Sequence, residues 1–139
     1  MRIRVLFAIL TGAAALLWSA EQKQMKKVPV TPTRADSAVE MFKTYCASCH
    51  GVDGKGRGPA AEALKVPPAD LTVLKQKNNG KFPAGTVTRI IEGADTIPAH
   101  GSTDMPTWGP IFRSLDPGNS ALGKLRIANL TKYIESMQQ

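Results

Sequence analysis

Cys46-Ala47-Ser48-Cys49-His50 gathers both cysteines of a 139-residue chain, and one of its two histidines, into five positions. No other feature limits the fold as tightly. Residues three apart share one face of a helix, and C-x-x-C-H is the spacing at which two thiols attach a haem. Each thiol adds to a vinyl group of the same porphyrin, and His50 then lies where its imidazole nitrogen can serve as the proximal iron ligand. Three other chemistries use part of the pattern. A redox-active dithiol sits at the start of a helix on a βαβ framework, and no alternating strand precedes Cys46. A structural zinc site needs four ligands, and Cys46, Cys49, His50 and His100 are the whole Cys and His supply, with a gap that fits no finger spacing. A plain disulfide leaves His50 unexplained.

The N-terminal stretch agrees with such a motif. Met1 to Ala20 opens with Arg2 and Arg4, runs through apolar residues from Val5 to Leu17 and ends in Trp18-Ser19-Ala20. This is a secretory signal pattern, with cleavage expected after Ala20. Left uncleaved, residues 3–20 make a marginal membrane anchor, since a span takes about 20 apolar residues. Residues 21–34 are basic and contain Pro29 and Pro32, with no apolar period, and read as a linker. The working domain is then 35–139, a single domain by length. The formal net charge is +7, and loss of Arg2 and Arg4 with the leader brings it to +5.

Along the domain, the first helix is expected from Asp36 to Cys49, with Ser37 and Glu40 as a capping box and Val39, Phe42, Cys46 and Cys49 on the buried face. Gly51 to Pro59 carries four glycines with Lys55 and Arg57. It lacks the preceding strand and the Gly-Lys-Ser/Thr order of a phosphate loop, and reads as a tight turn at a cofactor edge. Pro67-Pro68-Ala69-Asp70-Leu71 is rigid and leaves carbonyls free, one of which can accept from the second ring nitrogen of His50. Asp70 caps a short helix to Lys77, and Thr86 to Glu92 forms another, ended by Gly93. From Ala94 to Pro110 no periodicity survives, and this loop holds His100 and Met105. Asn119 to Met137 is the last helix, with Leu122, Leu125, Leu130, Tyr133, Ile134 and Met137 as its apolar stripe. Aromatic residues are only 6% of the chain, so the side chains alone form a thin core to which a porphyrin would add apolar contact.

Taken together, residues 36–137 resemble the class I c-type cytochromes, monohaem and His/Met-ligated. The resemblance rests on Cys46-x-x-Cys49-His50 in the first helix, the Gly-rich turn, Pro68-Ala-Asp-Leu71, Met105-Pro106-x-Trp108-Gly109 and a C-terminal helix with Tyr133. It implies a small all-α fold in which the first and last helices cross around one covalently bound haem c, with Phe42 and Tyr133 at the crossing. Ala38 stands where the family often has glycine. Residue by residue, it implies that Cys46 and Cys49 hold the haem, His50 is the proximal and Met105 the distal ligand, the Pro68 carbonyl supports His50, and Leu71 and Trp108 line the cofactor.

With both axial positions filled, the resemblance implies an electron carrier and no enzyme: a periplasmic protein linking a dehydrogenase or respiratory complex to an oxidase or reductase. It would act as a monomer or as a subunit of a larger complex. A haem catalyst or sensor with a labile distal ligand, and a thiol-disulfide oxidoreductase, are the competing classes. Met25 lies in the linker, and Met41 and Met137 lie on helices; Met105 alone occupies an irregular loop, where His100 is its rival for the iron. Lys55, Arg57, Lys65 and Arg113 flank segments expected near the haem edge, and so redox partners with acidic docking patches are expected. Nucleic acid is not, because export separates the chain from it.

Overall fold

The computed structural model describes residues 29–95 and 105–139. The leader 1–20, most of the linker and His100 lie outside the described residues. Among those described there is no strand, and no helix is long and apolar enough to cross a membrane. The all-α expectation is met. The first helix is composite: an α-turn Ala38–Met41 (α1), a π-helical stretch Phe42–Cys46 and a second α-turn Ala47–His50 (α2). Short 3-10 turns follow at Ala61–Ala63 and Leu71–Val73. The remaining helices are α3 (Leu74–Lys77), α4 (Ala84–Glu92), α5 (Trp108–Leu115) and α6 (Ser120–Ser136).

The buried face is rotated from the expected one. The core receives Met41, Phe42 and Tyr45, an ordinary helical spacing one step round from the expected stripe, while Val39, expected inside, is 45% exposed. The expected capping box does not form. Ser37 takes the N-cap position with no side-chain hydrogen bond to the helix, and the Asp36 carboxylate is instead gripped by the Arg34 guanidinium at 2.7 and 3.0 Å.

Helix α6 packs against α1, α4 and α5 and organises the bundle. At its contact with the first helix the rings of Phe42 and Tyr133 lie 5.3 Å apart, as expected from the resemblance. Its buried face runs through Gly123, Arg126, Ile127, Leu130, Thr131 and Ile134. Leu125, assigned to the apolar stripe, is 42% exposed, and Arg126 is 97% buried in its place. The chain's own N-terminal segment explains the exchange. Arg126 Nη1 donates to the Thr33 carbonyl (2.8 Å) and Nη2 to Asp116 Oδ2 (3.0 Å). Tyr45 Oη donates to the Thr31 carbonyl at 2.8 Å and shares a 2.9 Å bond with Thr33 Oγ1. The end of the stretch read as linker is therefore strapped to the domain, because its carbonyls satisfy polar groups buried in the core.

Helices α4 and α5 define the neck of the segment between them. Gly93 ends α4 in a left-handed conformation (φ +79°), as expected. Gly109 is required by closeness: a Cβ there would stand 2.5 Å from the Glu92 carbonyl oxygen. Residues 108–115, partly assigned to the loop, are helical. Pro110 is the third residue of α5, where a missing N–H costs no helical bond. Trp108 and Phe112 stack at 5.4 Å, and Tyr45 lies 5.2 and 5.3 Å from them, so the neck rests on the residue directly before Cys46.

Candidate haem-attachment site

Cys46, Cys49 and His50 are brought together by the end of the first helix. Both thiols are free and half-buried. Burial, with a smaller contribution from Cys49, pushes the Cys46 thiol up to about 12. A helix ending at His50 leaves its last four carbonyls without helical partners, and the Gly-rich turn supplies them. Gly51 N–H donates to Ala47 O (2.9 Å), Ala60 N–H to Ser48 O (2.8 Å), Gly58 N–H to Cys49 O (2.9 Å) and Gly56 N–H to His50 O (2.8 Å). The same bonds dispose of the phosphate-loop reading in physical terms, since the N–H groups that would cradle an anion are already committed. Gly56 has φ +75°, and a Cβ on it would strike the Pro68 carbonyl oxygen. The turn and the Pro-rich segment are thereby packed backbone to backbone beside His50.

The resemblance gives Pro68 the carbonyl that orients His50, and the structure corrects this by one residue. His50 Nδ1 donates to the Ala69 carbonyl at 3.0 Å, while the Pro68 carbonyl faces Gly56. A carbonyl oxygen only accepts, so the proton resides on Nδ1 and Nε2 keeps its lone pair. Burial lowers the His50 pKa, partly offset by the bond to Ala69, and this also favours the neutral, ligating form. Asp70 caps the next turn as expected: its Oδ1 accepts from Thr72 N–H (2.8 Å) and Oγ1 (2.7 Å), the hydroxyl first and the backbone second holding the carboxyl below its usual range.

Of the other expected residues, Leu71 packs against the apolar core and Trp108 is buried in the aromatic cluster. Met105 is 41% exposed at the N-terminal approach to α5 and is outside the core. The structure therefore assembles Cys46, Cys49, His50 and the 68–71 segment, and leaves Met105 on the surface near the neck. Sequence reasoning missed Ala69, because any carbonyl of Pro-Pro-Ala-Asp offers the same chemistry. It also missed Tyr45, whose position next to Cys46 was the available signal.

Two half-buried thiols three apart, a following imidazole whose Nε2 has no hydrogen-bond partner among the described residues, and a glycine cradle at their side form a donor set that fits haem c. A family model for Cytochrome c matches residues 35–138. Comparison with curated proteins and with solved structures returned no match. A domain of this kind implies covalent haem c, and Cys46 and Cys49 are positioned to bind it.

Proposed function

The chain belongs to the cytochrome c family, which makes it a haem-based electron carrier; from that premise we propose that it shuttles single electrons in the periplasm between a dehydrogenase or respiratory complex and an oxidase or reductase. The observation that carries the reading is His50, with Nδ1 committed to Ala69 and Nε2 left to ligate, one residue after the second thiol. When bound, the haem supplies one-electron ferric–ferrous chemistry. Around it the residues have separate tasks. Cys46 and Cys49 hold the group covalently, His50 is the proximal ligand, and the Ala69 carbonyl fixes the imidazole and raises its basicity. Met105 is the distal ligand in this reading. Its thioether is soft and favours ferrous iron, so a His/Met pair raises the reduction potential. Leu71 and Trp108 contribute apolar surface that keeps water from the cofactor. The Arg2/Arg4 leader with its apolar run supports export, and an uncleaved leader would tether the carrier to the inner membrane.

Covalent attachment has a direct test. Protein made with a haem-attachment system should keep its haem through denaturing electrophoresis, detected by peroxidase staining of the band. Cys46→Ala should leave one thioether and a less stable holoprotein. A colourless wild-type band would refute covalent attachment.

For the partner, we propose acidic docking patches that meet Lys55, Arg57, Lys65 and Arg113. Arg57 is mostly exposed, and among the described residues its one ion pair is a long 3.9 Å contact to Asp53, which leaves it available to a partner. Electron-transfer rates with the physiological partner should fall as salt rises from about 10 mM to 0.2 M, because steering is screened beyond about 10 Å at 0.1 M. Stopped-flow rates independent of salt would argue for an apolar contact instead.

A further inference from the structure

The last residues of the chain reach back to the segment that carries the Ala69 carbonyl. Gln138 Nε2 donates to the Leu71 carbonyl at 2.7 Å and to the Ile134 carbonyl at 2.8 Å, and its Oε1 accepts from the Lys75 N–H at 2.8 Å. Both amide protons are thus in use, and one half-buried side chain joins α6 to the segment 71–75. Other contacts lie around it. Gln139 N–H donates to the Thr72 carbonyl (3.0 Å), Gln76 Nε2 donates to the Gln139 carbonyl (3.2 Å), and Met137 lies against Gly54 of the Gly-rich turn.

Leu71 is consequently held on both of its backbone groups, since its N–H donates to the Gly54 carbonyl at 2.7 Å. Only Asp70 separates it from Ala69, and Asp70 is itself closed onto Thr72. A residue that merely capped α6 would need only the Ile134 carbonyl, which already accepts from Met137 N–H at 3.2 Å. The bonds to Leu71 and Lys75 act elsewhere. They fix the segment whose carbonyl meets His50.

We propose that Gln138 is a positioning residue for the proximal ligand: by gripping Leu71 and Lys75 it holds the Ala69 carbonyl on His50 Nδ1, and through that hydrogen bond it lowers the reduction potential of the iron. The proposal rests on His50 being the proximal ligand. A hydrogen bond weakens steeply as its angle and length depart from the optimum. A weaker bond at Nδ1 makes the imidazole a poorer donor, which disfavours ferric iron and raises the potential.

The test uses the holoprotein. Gln138→Ala should shift the ferric–ferrous equilibrium toward ferrous by about threefold, an upward shift of about 30 mV at 59 mV per tenfold for one electron. In the ferrous protein it should speed solvent exchange of the His50 Nδ1 proton by about tenfold, read by NMR. Gln138→Glu keeps an acceptor for the Lys75 N–H but sets a carboxylate oxygen against the Leu71 carbonyl, and should shift both readouts in the same directions. Gln76→Ala, which loses only the contact to Gln139, should leave both at wild-type values. Wild-type potential and exchange in both Gln138 variants, whatever happens to the unfolding midpoint, would reduce Gln138 to a stabilising contact and overturn the proposal. So would a fall in potential, or an equal shift in Gln76→Ala. The ligand reading is checked separately in the wild-type ferrous protein, where ring protons of His50 displaced by the porphyrin ring current mark it as bound to iron.

Discussion

Replacing Met105 with alanine should abolish the sulfur-to-iron charge-transfer band of the ferric protein, let added imidazole or cyanide bind the iron and lower the reduction potential. The thioether favours ferrous iron, and without it the sixth position falls to water or an added ligand. Within the proposed reading, the placement of the other methionines leaves Met105 as the candidate for that sulfur. Met41 is fully buried in the first helix against Phe42 and Arg126. Met137 is packed on Gly54. Met105 alone among the described methionines is exposed and lies outside the helices, next to a neck anchored by Gly109 and Trp108. His100→Ala should leave the band and the potential close to wild type. The opposite pair of outcomes would make the protein a bis-histidine cytochrome of lower potential. A ferric spectrum of the wild type that is high-spin, with no sulfur band, would favour the catalyst or sensor class. The optical spectrum and a redox titration of the two variants decide among these.

Removing the carboxylate of Asp116 should destabilise the holoprotein more than removing the charge it faces. The Arg126 guanidinium lies in a site where its side chain is 3% exposed, bonded to Asp116 at 3.0 and 3.2 Å and to the Thr33 carbonyl at 2.8 Å. Asp116→Ala leaves that cation buried without a counter-charge, a situation that costs about 3 to 5 kcal/mol in buried pairs. Because the Asp116 side chain is 25% exposed, part of the interaction is screened by water, and the loss should fall near 3 kcal/mol. Arg126→Met keeps the apolar stem and removes the charge. It leaves the Thr33 carbonyl without its donor, a cost of about 1 to 3 kcal/mol, and frees Asp116 to turn toward water. Urea unfolding of the two variants should rank Asp116→Ala as the less stable. Stabilities within about 0.5 kcal/mol of wild type for both, inside the range of ordinary surface substitutions, would mean that the strap at residues 31–34 is not anchored through Arg126. Loss of that anchor should also expose Tyr45 to quenchers, since its hydroxyl bonds to the same strap.

Sequence by itself determined the chemistry of the attachment site and the helical class of the fold. Cysteine spacing is a local property: residues at 46, 49 and 50 share the end of one helix whatever the rest of the chain does, so the donor set was legible before any fold was known. The same holds for local signals such as Asp70 as a cap and Gly93 as a helix end, which depend on backbone chemistry within a few residues. Tertiary structure decided what those signals cannot encode. Which of several equivalent carbonyls meets His50 depends on how the Gly-rich turn packs against residues 68–69: the Pro68 carbonyl lies against Gly56, and the Ala69 carbonyl meets His50. Which side of α6 faces inward depended on a buried cation that finds its partners 10 and 93 residues away, which no hydrophobic period can foresee. The face of the first helix follows Met41, Phe42 and Tyr45, and the contact of Tyr45 with Trp108 and Phe112 selects that stripe over the one through Val39. In both helices a pattern with a fixed period met a long-range contact, and the contact prevailed because leaving a buried polar group unpaired costs more than exposing a valine or a leucine.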